Sequence, residues 1–341
     1  MRFSPPLQVL ERGPGGEVSE SPVIIRKPQM MQLRPLTLAD RPQWADLLAL
    51  SFDRSPDKMA CLLDWLHGGH EVMAYGVWDG ERLAAQYACL LVSLHLSESP
   101  VPIRAGMSLN MSVHPDYRGR GLVKQVSKPV YEVVIAAGGS VGMGFSNADG
   151  VKVDRKSKGY GYRVVGRMQP TVAWFPPIIR RTNELTLTDI CPAPFPCVSD
   201  SPHIRFTATH ETVIHRYMQH PFRRYRYAVW REGSEICGVV IYRPARFGAV
   251  QGVTLLAAYG YDLPQLLRRF AGTMRGVNVH FAHILTTPHS PLCAALMQAA
   301  VCVPQPISRS PYYLTVKPLC DDTPAALFDF AAWDCMGGDI L

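Results

Sequence analysis

The sequence predicts a mixed α/β protein made of two successive units, each a β-sheet flanked by helices. Three observations predict it. A β-hairpin signal occurs twice: residues 71–78 and 82–96 flank Asp79-Gly80, and residues 225–231 and 235–242 flank Glu232-Gly233-Ser234, with Trp78 and Trp230 just before the turns. After each hairpin, strand-like and helix-like segments alternate in the same order. Between the two series lies Cys191-Pro192-Ala193-Pro194-Phe195-Pro196-Cys197, whose prolines suit a linker.

In chain order, residues 1–30 are rich in Gly, Pro, Ser and Glu and read as a flexible extension. Residues 31–36 suit a first strand. Thr37 is a plausible N-cap for a helix over 40–52, which carries Trp44, Leu47, Leu48 and Leu50. A second helix over 56–67 is apolar at Met59, Leu62, Leu63 and Leu66. The first hairpin follows, then a strand over 106–113 that Pro115 stops. Leu122, Val123, Val126, Val130, Val133 and Val134 mark a helix to about 138, and 140–145 and 163–174 read as strands. The linker spans 179–200. Past the second hairpin, 253–258, 277–285 and 312–316 read as strands and 263–274 and 291–300 as helices.

The most informative stretch is Val113-His114-Pro115-Asp116-Tyr117-Arg118-Gly119-Arg120-Gly121-Leu122, between a strand and a helix. A helix N-terminus leaves N–H groups without intrahelical acceptors and carries the positive end of the helix dipole, so anions settle there. Gly119 and Gly121 leave room for a phosphate and tolerate unusual dihedrals, and Arg118 and Arg120 add charge. The turn is neither a P-loop nor a dinucleotide fingerprint: no G-x-x-x-x-G-K-[ST] occurs, and Lys124 stands where the third glycine would be.

V-x-P-x-x-R-G-x-G-x-x resembles the acyl-CoA-binding motif of the GNAT superfamily of N-acyltransferases. The order of elements after it, with Asn147 and the pair Gly161-Tyr162, extends the likeness over residues 32–175. The resemblance implies a mixed sheet splayed open between its fourth and fifth strands, with acetyl-CoA or a longer acyl-CoA in the gap and no metal. It implies that backbone N–H groups of Met111, Ser112 and Val113 hold the thioester and pantetheine, that those of Arg118, Gly119, Arg120, Gly121, Leu122 and Val123 hold the pyrophosphate, and that Asn147 contacts the pantetheine region or caps the next helix. Two departures stand out. Val123 replaces the motif's last small residue. Ser157 stands where the family often has the tyrosine that protonates the thiolate, leaving Ser157, Tyr160 or solvent as the acid. The family's first two helices wall the acceptor side, which brings in Phe52, Asp53, Arg54 and Trp65.

The second unit, 201–341, has A-A-Y-G-Y-D between its strand and helix in place of Arg-Gly-x-Gly, so it reads as a degenerate GNAT-like domain that binds no CoA. The catalytic unit is then 31–178. The ending Trp333-Asp334-Cys335-Met336-Gly337-Gly338-Asp339-Ile340-Leu341 resembles the closing segment of two-domain relatives, which makes Asp339 or the terminal carboxylate of Leu341 a candidate base or acceptor anchor, against plain packing of the tail.

With 47% hydrophobic and 18% charged residues, the 341-residue chain can bury large cores. It lacks a membrane-span signal or secretory leader pattern, which suggests a cytoplasmic location. Nine cysteines without a C-x-x-C pair suggest reduced thiols. A net charge of +7 is modest, and no nucleic-acid motif accompanies it. His67-x-x-His70 and His280-x-x-His283 lack the spacing of a zinc site. The expected function is acyl transfer to a primary amine of a small molecule or peptide, such as a lysine- or ornithine-like side chain; the alternative is a catalytically silent GNAT pair acting as a CoA sensor or scaffold.

Overall fold

The computed structural model describes residues 30–340 apart from 97, 98, 100, 157–160, 197–201, 249 and 306–310. In chain order its strands are β1 (Gln32–Pro35), β2 (Val72–Asp79), β3 (Arg82–His95), β4 (Ile103–Val113), β5 (Gly139–Ser146), β6 (Arg163–Arg167), β7 (Gln169–Trp174), β8 (Thr186–Thr188), β9 (Arg205–Phe206), β10 (Arg226–Glu232), β11 (Glu235–Phe247), β12 (Val250–Gly260), β13 (Phe281–Thr286), β14 (Val301–Pro304) and β15 (Tyr313–Pro318). The helices are α1 (Arg41–Phe52), α2 (Pro56–Gly69), α3 (Leu122–Ala136), α4 (Ala148–Lys156), α5 (His210–Val213), α6 (Leu263–Gly276) and α7 (Pro291–Ala299).

The starts of the first helices follow from their caps. Asp40, in a capping box with Thr37, accepts from the Thr37 N–H at 3.0 Å and from the Arg34 guanidinium at 2.7 Å, which holds its carboxyl below the ordinary range. The Ser55 hydroxyl accepts from the Lys58 N–H, and Pro56 supplies a preset φ at the first position of α2. Neighbours on β2 point to opposite faces, and the core divides accordingly. Ala74 and Trp78 pack with Trp44, Leu48 and Leu63 under α1 and α2, whereas Met73 and Val77 pack with Val126, Val130 and Val134 of α3. The first sheet is thus a layer between helices.

Two mixed sheets result. The first runs β1-β2-β3-β4-β5-β15-β6, with β9 added at the end of β3; the second runs β8-β10-β11-β12-β13-β7-β14. Each is antiparallel except for one central parallel pair, β4 with β5 and β12 with β13. The second order repeats the first, but the sixth place in each sheet is filled by a strand from the other half of the chain.

That exchange departs from the sequence reading. Residues 163–174, expected as one strand, form two strands in different sheets. The break falls at Met168, which is fully buried and whose N–H donates to the Tyr312 carbonyl at 2.9 Å. β7 crosses to pair with β13, and β15 returns to pair with β5 and β6. The sheets therefore do not follow the expected division into 31–178 and 201–341, and β8 lies inside the stretch read as linker. The physical gain is that strands β5 and β13, which would otherwise present bare edges, are each covered.

Shared strands tie the two cores together. Leu314 of β15 is fully buried among residues of the first sheet, so Leu314→Ala should cost about 2–5 kcal/mol. Because both sheets depend on the exchange, tryptophan fluorescence and far-ultraviolet circular dichroism should report one coincident urea transition, shifted to lower denaturant in the variant. Two separated transitions would contradict the coupling.

Candidate active site

The parallel pairing of β4 with β5 runs only from Arg104 to Met107 on β4 and from Gly139 to Met143 on β5, although the strands continue to Val113 and Ser146. Beyond that point they diverge. β4 stays attached to β3 through a bulge in which Tyr87 alone opposes Asn110 and Met111; Asn110 takes a φ of +42°, and the Gln86 side-chain amide donates to its carbonyl. β5 stays attached to β15. Between the diverging ends lies a cleft of about 370 Å³, walled by Ser108, Asn110 and Met111 of β4, by Gly144, Phe145 and Ser146 of β5, and by Asn147. Phe52, Tyr87, Tyr162, Tyr312, Thr315 and Ile340 complete it. Splaying between the fourth and fifth strands is what the family resemblance implies.

At the same end of β4 the chain turns into α3. Pro115–Tyr117 form one 3-10 turn, fixed by the Tyr117 hydroxyl donating to Asp79 at 2.6 Å. Gly119 and Gly121 have φ of +78° and +70°, the left-handed region that disfavours a side chain. A Cβ at either would meet open space, so it is the backbone conformation, rather than crowding within the protein, that calls for glycine. Among the described residues, the Gly119, Arg120 and Gly121 N–H groups donate to no acceptor, and Leu122 and Val123 open α3 with first-turn N–H groups that no helical carbonyl reaches. The turn is an exposed crown of donors at a helix N-terminus, the arrangement expected for an anion site.

Of the other residues singled out by sequence, Met111 and Asn147 line the cleft. Asn147 caps α4, its side-chain oxygen accepting from the Asp149 and Gly150 N–H groups at 3.1 and 2.8 Å. Ser112 is buried, its hydroxyl donating to the Asn110 carbonyl, and Val113 pairs with Ala85. His114 faces Arg82 and Asp116 outside the cleft. Ser157, Tyr160 and Leu341 lie outside the described residues. Trp65 stacks on His215 instead of facing the cleft. Among the described residues no group of three His, Cys, Asp or Glu side chains could hold a metal, and no helix is long and apolar enough to cross a membrane.

Sequence reasoning missed Tyr87, Tyr312 and Thr315. Tyr87 joins a hydroxyl cluster, 2.6 Å from Tyr131 and 3.2 Å from Tyr162. Tyr312 and Thr315 arrive on or beside the exchanged strand, for which no local spacing gives a signal.

The second sheet diverges in the same way: β12 pairs with β13 only from Gly252 to Leu255. There the opening is filled by the end of the chain. Met336 bridges to Thr286, the Thr287 N–H donates to the Cys335 carbonyl, and the Thr287 hydroxyl donates to the Trp333 carbonyl at 2.6 Å. A Cβ at Gly338 would lie 3.1 Å from the Leu256 carbonyl and collide with the Tyr217 hydroxyl, so the tail threads the gap because it is glycine there. The next residues leave it: Asp339 lines a cavity beside α5, and Ile340 reaches the first cleft. Asp339 is buried, accepts from the Met336 N–H at 2.7 Å, and has its carboxyl pushed up to about 6, burial outweighing the pull of Arg216.

Residues 32–162 match the model of the acetyltransferase (GNAT) domain. No curated protein matches the chain. The fold is similar to that of a GCN5-related N-acetyltransferase from Anabaena variabilis ATCC 29413, with a TM-score of 0.62, 11% identity and coverage of 85% of this chain and 73% of that one. A GCN5-related N-acetyltransferase from Kribbella flavida is similar with a TM-score of 0.58 and 14% identity over 87% and 72% of the two chains. These likenesses show the fold.

The Asp339 environment predicts a pH signature. With the folded value near 6 and the ordinary one at 3.8, the neutral acid is favoured by folding; this contribution is complete below pH 3.8 and is lost as pH rises through about 6. Comparing urea midpoints of the parent and Asp339→Asn from pH 4 to 7 should show the balance moving toward the variant by on the order of 3 kcal/mol. A pH-independent difference would mean that the carboxyl titrates normally.

Proposed function

We propose, from the match of residues 32–162 to the GNAT acetyltransferase domain, that this chain is an acyl-CoA-dependent N-acyltransferase with one donor site per chain. One conjunction carries the reading: an opened parallel pair and an anion-binding turn lie at the same end of the same strand, β4. A donor with a pyrophosphate at one end and a thioester at the other needs both, a few residues apart.

In this reading the donor is acetyl-CoA or a longer acyl-CoA. The Arg118 N–H already donates to the Pro115 carbonyl, so the N–H groups from Gly119 to Val123 take the pyrophosphate, Asn147 contacts the pantetheine arm, and backbone N–H groups of Met111 to Val113 polarise the thioester carbonyl, where charge builds as the amine attacks. The acceptor is a primary amine on a small molecule or peptide. Its nitrogen forms a bond to the acyl carbon, the carbon–sulfur bond breaks, the amine gives up a proton, and the thiolate takes one. Asp339 is assigned the amine's proton: a carboxylate titrating near 6 is a competent base at neutral pH, and the next residue lines the cleft. Ser157 and Tyr160 are the side chains assigned to the sulfur. The half of the chain beyond residue 201 shapes the acceptor side. It supplies β15 to the first sheet and binds no donor itself, its own opening being filled by Met336–Gly338.

The test is thiol release from acyl-CoA donors of graded chain length with a panel of primary amines. Turnover is expected. Stabilisation of the fold by CoA without any thiol release would favour a silent CoA sensor, and failure of CoA to bind would refute both. Gly121→Val should weaken CoA binding at least tenfold, since it places a β-branched side chain at a positive φ in the phosphate turn. Ser157→Ala should lower kcat about a hundredfold or more if that hydroxyl protonates the sulfur, and leave it unchanged if it does not.

A further inference from the structure

Beside the cleft, and separate from it, is a second cavity of about 250 Å³ between the two halves of the chain. Its walls come from the α2–β2 junction at His70 and Glu71, from β3 at Val92 and Ser93, from Thr207, Thr209 and Thr212, and from Arg216, Tyr259 and Asp339. It adjoins the cleft at two points. Phe206, in the cavity wall, packs on Phe145, in the cleft wall, with ring centroids 6.2 Å apart. Asp339 lines the cavity and Ile340 the cleft.

The charges in this cavity are unusual. Arg216 forms no ion pair or hydrogen bond among the described residues, and one of its terminal guanidinium nitrogens is shielded from solvent without an acceptor. A buried guanidinium nitrogen without an acceptor is costly, and an arginine fork fits a carboxylate in two parallel bonds. The cavity's other acidic side chain, Glu71, is engaged outward by Arg104 at 3.2 Å. Asp339 spends one oxygen on the Met336 N–H and has no cationic partner within ion-pair distance among the described residues. The cavity thus offers one cation and one anion, each short of a partner, in a space for a small molecule. A phosphate dianion would leave excess negative charge beside Asp339, whereas a molecule carrying both an amine and a carboxylate balances both groups.

We propose that this cavity is the acceptor subsite and that the acceptor is an amino acid, its carboxylate held by Arg216 and its amine beside Asp339 at the edge of the donor cleft. The inference rests on the transferase reading given above. It adds the substrate class and assigns Arg216 as the residue that selects it.

The experiment is isothermal titration calorimetry on the full chain, with and without CoA, using lysine and ornithine against cadaverine and putrescine, the same amines without the carboxylate. The amino acids should bind at least tenfold more tightly than their decarboxylated partners, and Arg216→Gln should erase that preference while leaving CoA binding unchanged. Arg216→Lys, which keeps the charge and loses the fork, should retain part of the preference. Equal binding of both series, no binding of either, or a preference that survives Arg216→Gln would overturn the proposal. In turnover assays, Arg216→Gln should raise KM for lysine with little change for cadaverine. Because calorimetry reads acceptor binding directly, CoA that fails to bind would sink the transferase reading while the amino-acid preference could still be scored by itself.

Discussion

The structure depends on a parallel strand pair that is allowed to come apart. Strand pairing is cooperative, and two strands joined over Arg104–Met107 would ordinarily continue to pair as long as both are extended. They diverge because each is held harder on its far side. β4 is fixed to β3 through the Asn110–Met111 bulge, which bends the strand and raises its twist, and β5 is fixed to β15 along Val141–Ser146. Beyond Met107 and Met143 the edges of the two strands border the cleft in place of each other. Backbone groups at such an edge are tolerable where water or a ligand reaches them. The cleft is therefore a local failure of sheet formation that the rest of the sheet stabilises.

The strand that holds β5 in place comes from the other half of the chain, and β7 does the same service for β13. By this reciprocity the second half of the chain is part of the first sheet. It is not an appendage, since the first sheet lacks its sixth strand without it. In the second opening the glycines at 337 and 338 let the chain's own end fill the gap, with Thr286 and Thr287 taking up its backbone groups.

Much of this was legible in the sequence because it is local. The Pro-Gly-Arg punctuation of residues 115–121 needs only neighbouring dihedrals, and the two hairpins announce themselves by turn residues between alternating runs. The repeated order of elements survives for the same reason. The exchange does not, because nothing in residues 163–174 distinguishes one strand from two: Met168 breaks the run by being buried against Tyr312, a contact 144 positions away. The cleft was legible in part. Met111 and Asn147 follow from the motif, but Tyr312, Thr315 and Ile340 enter by way of β15 and the tail. Arg216 carries no motif; what marks it is the absence of an ion-pair or hydrogen-bond partner among the described residues.

The path of the tail joins these parts. Trp333, fully buried with its indole N–H on the Leu327 carbonyl, and Asp334, which accepts from Ser290 at the head of α7, fix where the final segment begins. The gap between β12 and β13 fixes the middle of the segment. Little freedom is left for the two residues that follow, so Asp339 and Ile340 are presented to the cavity and the cleft by a chain anchored on both counts. A carboxylate held by its backbone in this way loses little conformational entropy when a ligand arrives, which is the property that preorganisation requires. The second half of the chain thus acts on the first through geometry, by placing a strand under one wall of the cleft and Ile340 in its lining.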